Sequence, residues 1–125
     1  MSFEEYYITD SNGNSNCVIR SFCKIYNEDY NEIKNELLTI SKELNKDFND
    51  IETFEELMRR HNTIKINYGK DLLIKNLTLD NEKYIVFCYD KKDFYHMIPI
   101  INKTIYDYNS DSLNLYVINI YKVNP

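Results

Sequence analysis

"FYHMIPIINKTIYDY", residues 94–108, reads as two strands folded about a two-residue turn. Both halves are rich in β-branched and aromatic residues, and Asn102–Lys103 falls where a hairpin needs its reversal. Outward from this pair, the same composition recurs in "TIKINY" (63–68), "KYIVFCYD" (83–90) and "LNLYVINIYKV" (113–123), with "DKKD" (90–93) as a second hairpin turn. The pattern is a meandering antiparallel sheet. "DLLIKNLTL" (71–79) is ambiguous between a short helix and a strand. Pro99 removes one ladder N–H from the first hairpin strand, which predicts an edge position or a bulge there.

Upstream of residue 63 the apolar period is helical. Val18, Phe22, Ile25 and Tyr26 share one spacing, with Ser15 or Asn16 as the cap. Asp29 and Glu32 are in capping-box register and open a helix running to about Leu44, with Ile33, Leu37, Ile40 and Leu44 on one face. Thr53 and Glu56 are in the same register and start a third helix ending near Arg60. Helices first and sheet second predict an α+β domain, and 125 residues suit one core spanning 1–125.

Charge and cysteine usage narrow the function classes. The net charge is −5 with both signs interspersed, so the basic stripe of a nucleic-acid binder is missing. Three cysteines, Cys17, Cys23 and Cys88, form no disulfide framework and point to a reducing, cytoplasmic setting. The opening "MSFEEYYITD" has no signal-peptide pattern, and no apolar run approaches the roughly 20 residues of a membrane span. No CxxC or HxxxH spacing suggests a metal site, and two glycines, Gly13 and Gly69, build no phosphate loop. No cofactor is expected.

The chemistry gathers around "NGNSNCVIRSFCKI", residues 12–25, where small turn-forming residues run directly into Cys17 at a helix start. Unpaired N–H groups and the positive end of the helix dipole favour a thiolate there. A thiolate nucleophile needs a base, and the base needs an orienting acceptor. The chain has two histidines: His61, at a helix end, and His96, inside a strand. Pairing about the 102–103 turn sets His96 opposite Asn109 and diagonal to Asp107, with Cα atoms roughly 7–8 Å apart. The plainer alternative makes Cys17 a small buried hydrophobe and His96 a core residue. Cys23 and Cys88 read as core. Arg20, one turn beyond Cys17, reads as a surface or loop-anchoring residue, with a substrate carboxylate or the thiolate as its other possible partners.

"NCVIRSF" (16–22) followed by "HMIPIINKTIYDYNS" (96–110), in that order and at that separation, resembles the papain-like cysteine peptidase superfamily. The likeness is to its short bacterial and phage-encoded members, with a "CVIRA" helix start and "HAVAVINGKVYDTW"-type strands, and it covers residues 12–112. It implies a papain-like α+β fold in which N-terminal helices, the first starting at the cysteine, pack on a C-terminal antiparallel sheet. It also implies a cysteine hydrolase, a peptidase or amidase working through an acyl-enzyme on a peptide or protein substrate. Cys17 is then the nucleophile, His96 the base, and Asp107 the residue that orients it. The family usually carries an upstream Gln as oxyanion donor, where this chain reads "DSNGNS". Asn12, Asn14 and Asn16, beside the Cys17 N–H, and Asn109 are therefore the oxyanion or substrate-binding candidates. Without such a donor the same fold would serve as an inactive binding or inhibitor protein, docking on a protein target through its acidic, Tyr-rich surface.

Overall fold

The computed structural model describes residues 1–66 and 71–124. Helix α1 covers Cys17–Tyr26, α2 Tyr30–Leu44 and α3 Ile51–Arg60. The strands are β1 (Ser2–Glu5), β2 (Thr63–Ile66), β3 (Lys83–Tyr89), β4 (Tyr95–Ile101), β5 (Thr104–Asp107) and β6 (Tyr116–Val123). The fold is α+β: three N-terminal helices pack on one face of a six-stranded sheet of order β1-β5-β4-β3-β6-β2.

The hairpins at "DKKD" and at Asn102–Lys103 join antiparallel neighbours, as read from the sequence. Asn102 and Lys103 take φ of 51° and 64°, the left-handed pair of a tight turn whose twist matches its strands. The sheet departs from the expected purely antiparallel, C-terminal one at its edge. β1, from the chain start, pairs parallel with β5, so the sheet is mixed. Residues 71–79 are neither helix nor regular strand. A 3-10 turn at Ile74–Asn76 lies among loop residues, and Ile74, Leu77 and Leu79 cover the sheet face opposite the helices. The predicted strand from residue 63 is β2, and its last two residues, 67 and 68, lie outside the described residues.

Asp29 caps α2 through Oδ1, which accepts the Glu32 N–H at 2.8 Å. The third helix starts three residues earlier than the Thr53 register implies. Asp50 is its cap, accepting from Glu52 N–H, while fully buried Thr53 donates its hydroxyl to Asp47 O at 2.7 Å. Asparagines occupy left-handed positions that glycine often fills: Asn27 ends α1 and Asn45 ends α2. Among the described residues no helix is long and apolar enough to cross a membrane.

Candidate active site

The β4–β5 ladder contains only Ile100↔Ile105 and Ile101↔Thr104. Beyond Ile100 the two strands part, and the first turn of α1 meets the exposed edge of β4. The Met97 N–H lies near the Cys17 sulfur and favours its thiolate. Ser21, fully buried, donates its hydroxyl to Met97 O at 3.0 Å and Cys17 O at 2.7 Å, joining helix to strand. Backbone groups two residues apart in a strand face the same edge. The Pro99 nitrogen therefore faces this opening, past the end of the β5 ladder, where it forfeits no strand hydrogen bond. An inner strand thus tolerates a proline without the predicted bulge.

α1 begins at Cys17 because Asn16 caps it. The Asn16 side-chain oxygen accepts from Val18 N–H at 2.8 Å and Ile19 N–H at 3.2 Å, and its backbone oxygen accepts from Arg20 N–H at 2.8 Å. Of the helix's first four N–H groups, three are thereby satisfied. The Cys17 N–H is the one without a partner among the described residues, and it belongs to the nucleophile candidate itself. No acidic residue sits in the first turn to oppose a thiolate.

His96 projects from β4 and Asp107 from β5, and both are buried. His96 Nε2 and Asp107 Oδ2 are 2.7 Å apart, so the ring donates Nε2–H to the carboxylate. The Cys17 thiol lies beside the same ring, which favours its thiolate, and with Nε2 given to Asp107 the nitrogen left to serve the sulfur is Nδ1. Phe94 stacks on the ring at 5.6 Å and Tyr108 meets it edge-on at 6.2 Å. The structure thus brings together Cys17, His96 and Asp107, from residues far apart in the chain.

The electrostatics separate the three cysteines. Burial pushes the half-buried Cys17 thiol up, but the hydrogen bond and charge of His96, the Met97 N–H and Arg20 leave it below the ordinary thiol value. Burial alone would lower His96; the bonds and charges of Asp107 and Cys17 raise it to about 9. The two shifts favour a thiolate–imidazolium pair near neutral pH. Burial, with Asp29, Glu28 and Glu32 nearby, pushes Cys23 up to about 12, and burial also raises Cys88. Those two are core thiols.

The asparagine candidates divide differently. Asn12 gives its backbone N–H to Asp10, Asn14 gives both backbone and side-chain N–H groups to Asp10, and the Asn16 amide reaches Asn49 at 3.2 Å. The Asn14 amide is therefore engaged within its own loop and the Asn16 amide with the loop before α3, away from an oxyanion role. Asn109 caps a 3-10 turn through Oδ1 and borders a cavity of about 250 Å³ that His96, Phe94 and Tyr108 also border. His61 lies elsewhere, bonded to Glu36 at 2.8 Å and stacked on Tyr26 at 4.3 Å.

Arg20 is the residue whose place differs most from a surface side chain. It is 7% exposed, ion-paired through Nη2 to Asp107 Oδ1 at 3.8 Å, and bonded through Nη1 to Ser15 Oγ at 2.7 Å. The signal for it was α1 itself: with Val18, Ile19, Phe22, Cys23 and Ile25 all buried, the polar residues between them need partners inside the fold. No protein-family model, no curated protein and no solved structure matches this chain.

Proposed function

We propose that the protein is a small papain-like cysteine hydrolase, a peptidase or amidase acting through Cys17, His96 and Asp107. The observation that carries the reading is a single buried imidazole bonded to a carboxylate through Nε2, with a half-buried thiol beside it whose ionisation it favours. In the proposed cycle His96 Nδ1 takes the thiol proton and the Cys17 sulfur attacks an acyl carbon. The oxyanion develops next to the Cys17 N–H. Collapse of the tetrahedral species breaks the C–N bond, and Nδ1–H passes its proton to the leaving amine. Water, deprotonated by Nδ1, then cleaves the thioester to release the acid and restore the thiol. Asp107 keeps the ring in the tautomer with Nδ1 free and stabilises the imidazolium. A reducing cytoplasmic compartment suits a free nucleophilic thiol.

A second reading, an inactive papain-fold binding protein, draws on the committed Asn14 and Asn16 amides, which leave the Cys17 N–H as the donor identified at the sulfur. Incubation with p-nitrophenyl esters of N-acyl amino acids separates the two. The hydrolase gives a burst of nitrophenol and a mass adduct on Cys17, both lost in Cys17→Ala. Neither burst nor adduct in the wild type refutes the hydrolase.

A further inference from the structure

We propose that Arg20 is a positioning residue of this site: its guanidinium, fixed by Ser15 and two tyrosine rings, holds Asp107 in place and balances its charge. The guanidinium carbon lies 4.8 Å from the Tyr108 ring centre and 5.7 Å from that of Tyr7, so aromatic surface flanks the cation. Nη1 donates to Ser15 Oγ at 2.7 Å, and Ser15 in turn donates to Ile8 O at 2.9 Å, tying the cation to the loop before the nucleophile. Nη2 faces Asp107 Oδ1, the oxygen that His96 does not use and that accepts the Tyr108 N–H at 2.9 Å. Each carboxylate oxygen thus has its own donors, and the carboxylate cannot rotate away from His96 without breaking contacts on both sides.

The charge count gives this arrangement its purpose. Before the thiol proton moves, Cys17, His96 and Asp107 carry 0, 0 and −1, and after it −1, +1 and −1, so either way the buried set holds one uncompensated negative charge. Arg20 supplies the fourth charge and makes the set neutral. The other titratable groups around it are Glu5 of β1, Tyr6 and Tyr7 after it, Tyr30 of α2, and Tyr108 after β5. Removing a nearby cation makes a thiol harder to ionise, so the site without Arg20 keeps its thiol protonated to higher pH.

The proposal rests on reading Cys17, His96 and Asp107 as one proton-transfer unit, and the test separates the two ideas. The rate of iodoacetamide alkylation at Cys17 is followed by peptide mass from pH 5 to 10 in the wild type, Arg20→Met and Arg20→Lys, each checked for a cooperative melt. The expected result is an acid limb displaced upward by about one pH unit in Arg20→Met, roughly tenfold slower alkylation below the midpoint. Arg20→Lys, which keeps the charge, lies within about 0.3 unit of wild type by the same Coulombic argument. That rescue distinguishes charge balance from loop anchoring. Should Arg20→Met fail to fold, Arg20→Gln, which keeps reach to Ser15 without charge, carries the same expectation. A wild-type profile in a folded neutral variant, or equal displacement in Met and Lys, overturns the proposal and leaves the triad standing. Wild-type Cys17 alkylating no faster than Cys88 at pH 6 overturns both.

Discussion

Replacing Asp107 with Asn removes one charge and, through its neighbours, dictates which way the new amide points. Oδ2 accepts His96 Nε2–H at 2.7 Å, while Oδ1 accepts Tyr108 N–H at 2.9 Å and faces Arg20 at 3.8 Å. Every one of these partners is a donor, so an amide satisfies only one side. The Tyr108 N–H and the Arg20 guanidinium cannot become acceptors, whereas imidazole can change tautomer. The amide carbonyl therefore stays with Tyr108 and Arg20, its NH2 turns to His96, and the ring proton moves to Nδ1, facing the sulfur. A neutral ring in that tautomer cannot take the thiol's proton. At the same time burial of His96 loses its main opposition, and its midpoint falls from about 9 by about two pH units, the usual effect of a close opposite charge. At pH 6 an ordinary thiol is about 1 part in 300 thiolate. Cys17 alkylation at pH 6 should accordingly slow by at least about tenfold as it loses its ion-pair partner. Iodoacetamide kinetics read by intact mass, with ring nitrogen NMR of His96, measure both effects. Wild-type alkylation in a variant whose His96 still carries its proton on Nε2 refutes the amide-orientation argument.

Ser21→Ala removes the hydroxyl shared by Cys17 O and Met97 O. It should cost about 1–2 kcal/mol, lower the melting temperature by about 3–8 °C and slow Cys17 alkylation; an unchanged melt contradicts the role given to that bridge. Asn16→Ala deprives Val18 and Ile19 N–H of their acceptor and should lose about 1 kcal/mol in denaturant unfolding; a loss confined to a few tenths argues against the cap. His61→Ala should leave Cys17 alkylation at pH 6 within about twofold, since a base acts only within hydrogen-bond reach and His61 is engaged with Glu36 and Tyr26. A tenfold fall there would take the base role from His96.

Local chemistry was legible where it decided the structure locally. The Asn102–Lys103 turn, the Asp29 cap and the cysteine at the start of α1 depend on neighbours within a few residues. β1 was not: "SFEE" is short and mostly exposed, and only its distant partner β5 makes it a strand. Residues 71–79 were ambiguous because their leucines and isoleucine serve as a cover over the sheet, a role with no period of its own. At α3 two cap registers competed, and burial of Thr53 decided for Asp50. For the candidate site, the hairpin fixed the neighbourhood of His96 and Asp107 but not their bond, which depends on β5 parting from β4. Arg20 anchors the loop through Ser15 and favours the Cys17 thiolate, as its position suggests, but its burial against Asp107 was not legible, since nothing adjacent to it in sequence reveals Asp107.

The gap between β4 and β5 ties the acidity of the Cys17 thiol to a segment about eighty residues further along the chain. Until the hairpin around residues 102 and 103 has formed and docked on α1, Cys17 lacks the Met97 amide and the imidazole that acidify it. A ribosome-bound fragment ending before residue 96 carries an ordinary thiol at that position. Reactivity of Cys17 toward electrophiles thus depends on that hairpin being in place and becomes a direct gauge of its assembly.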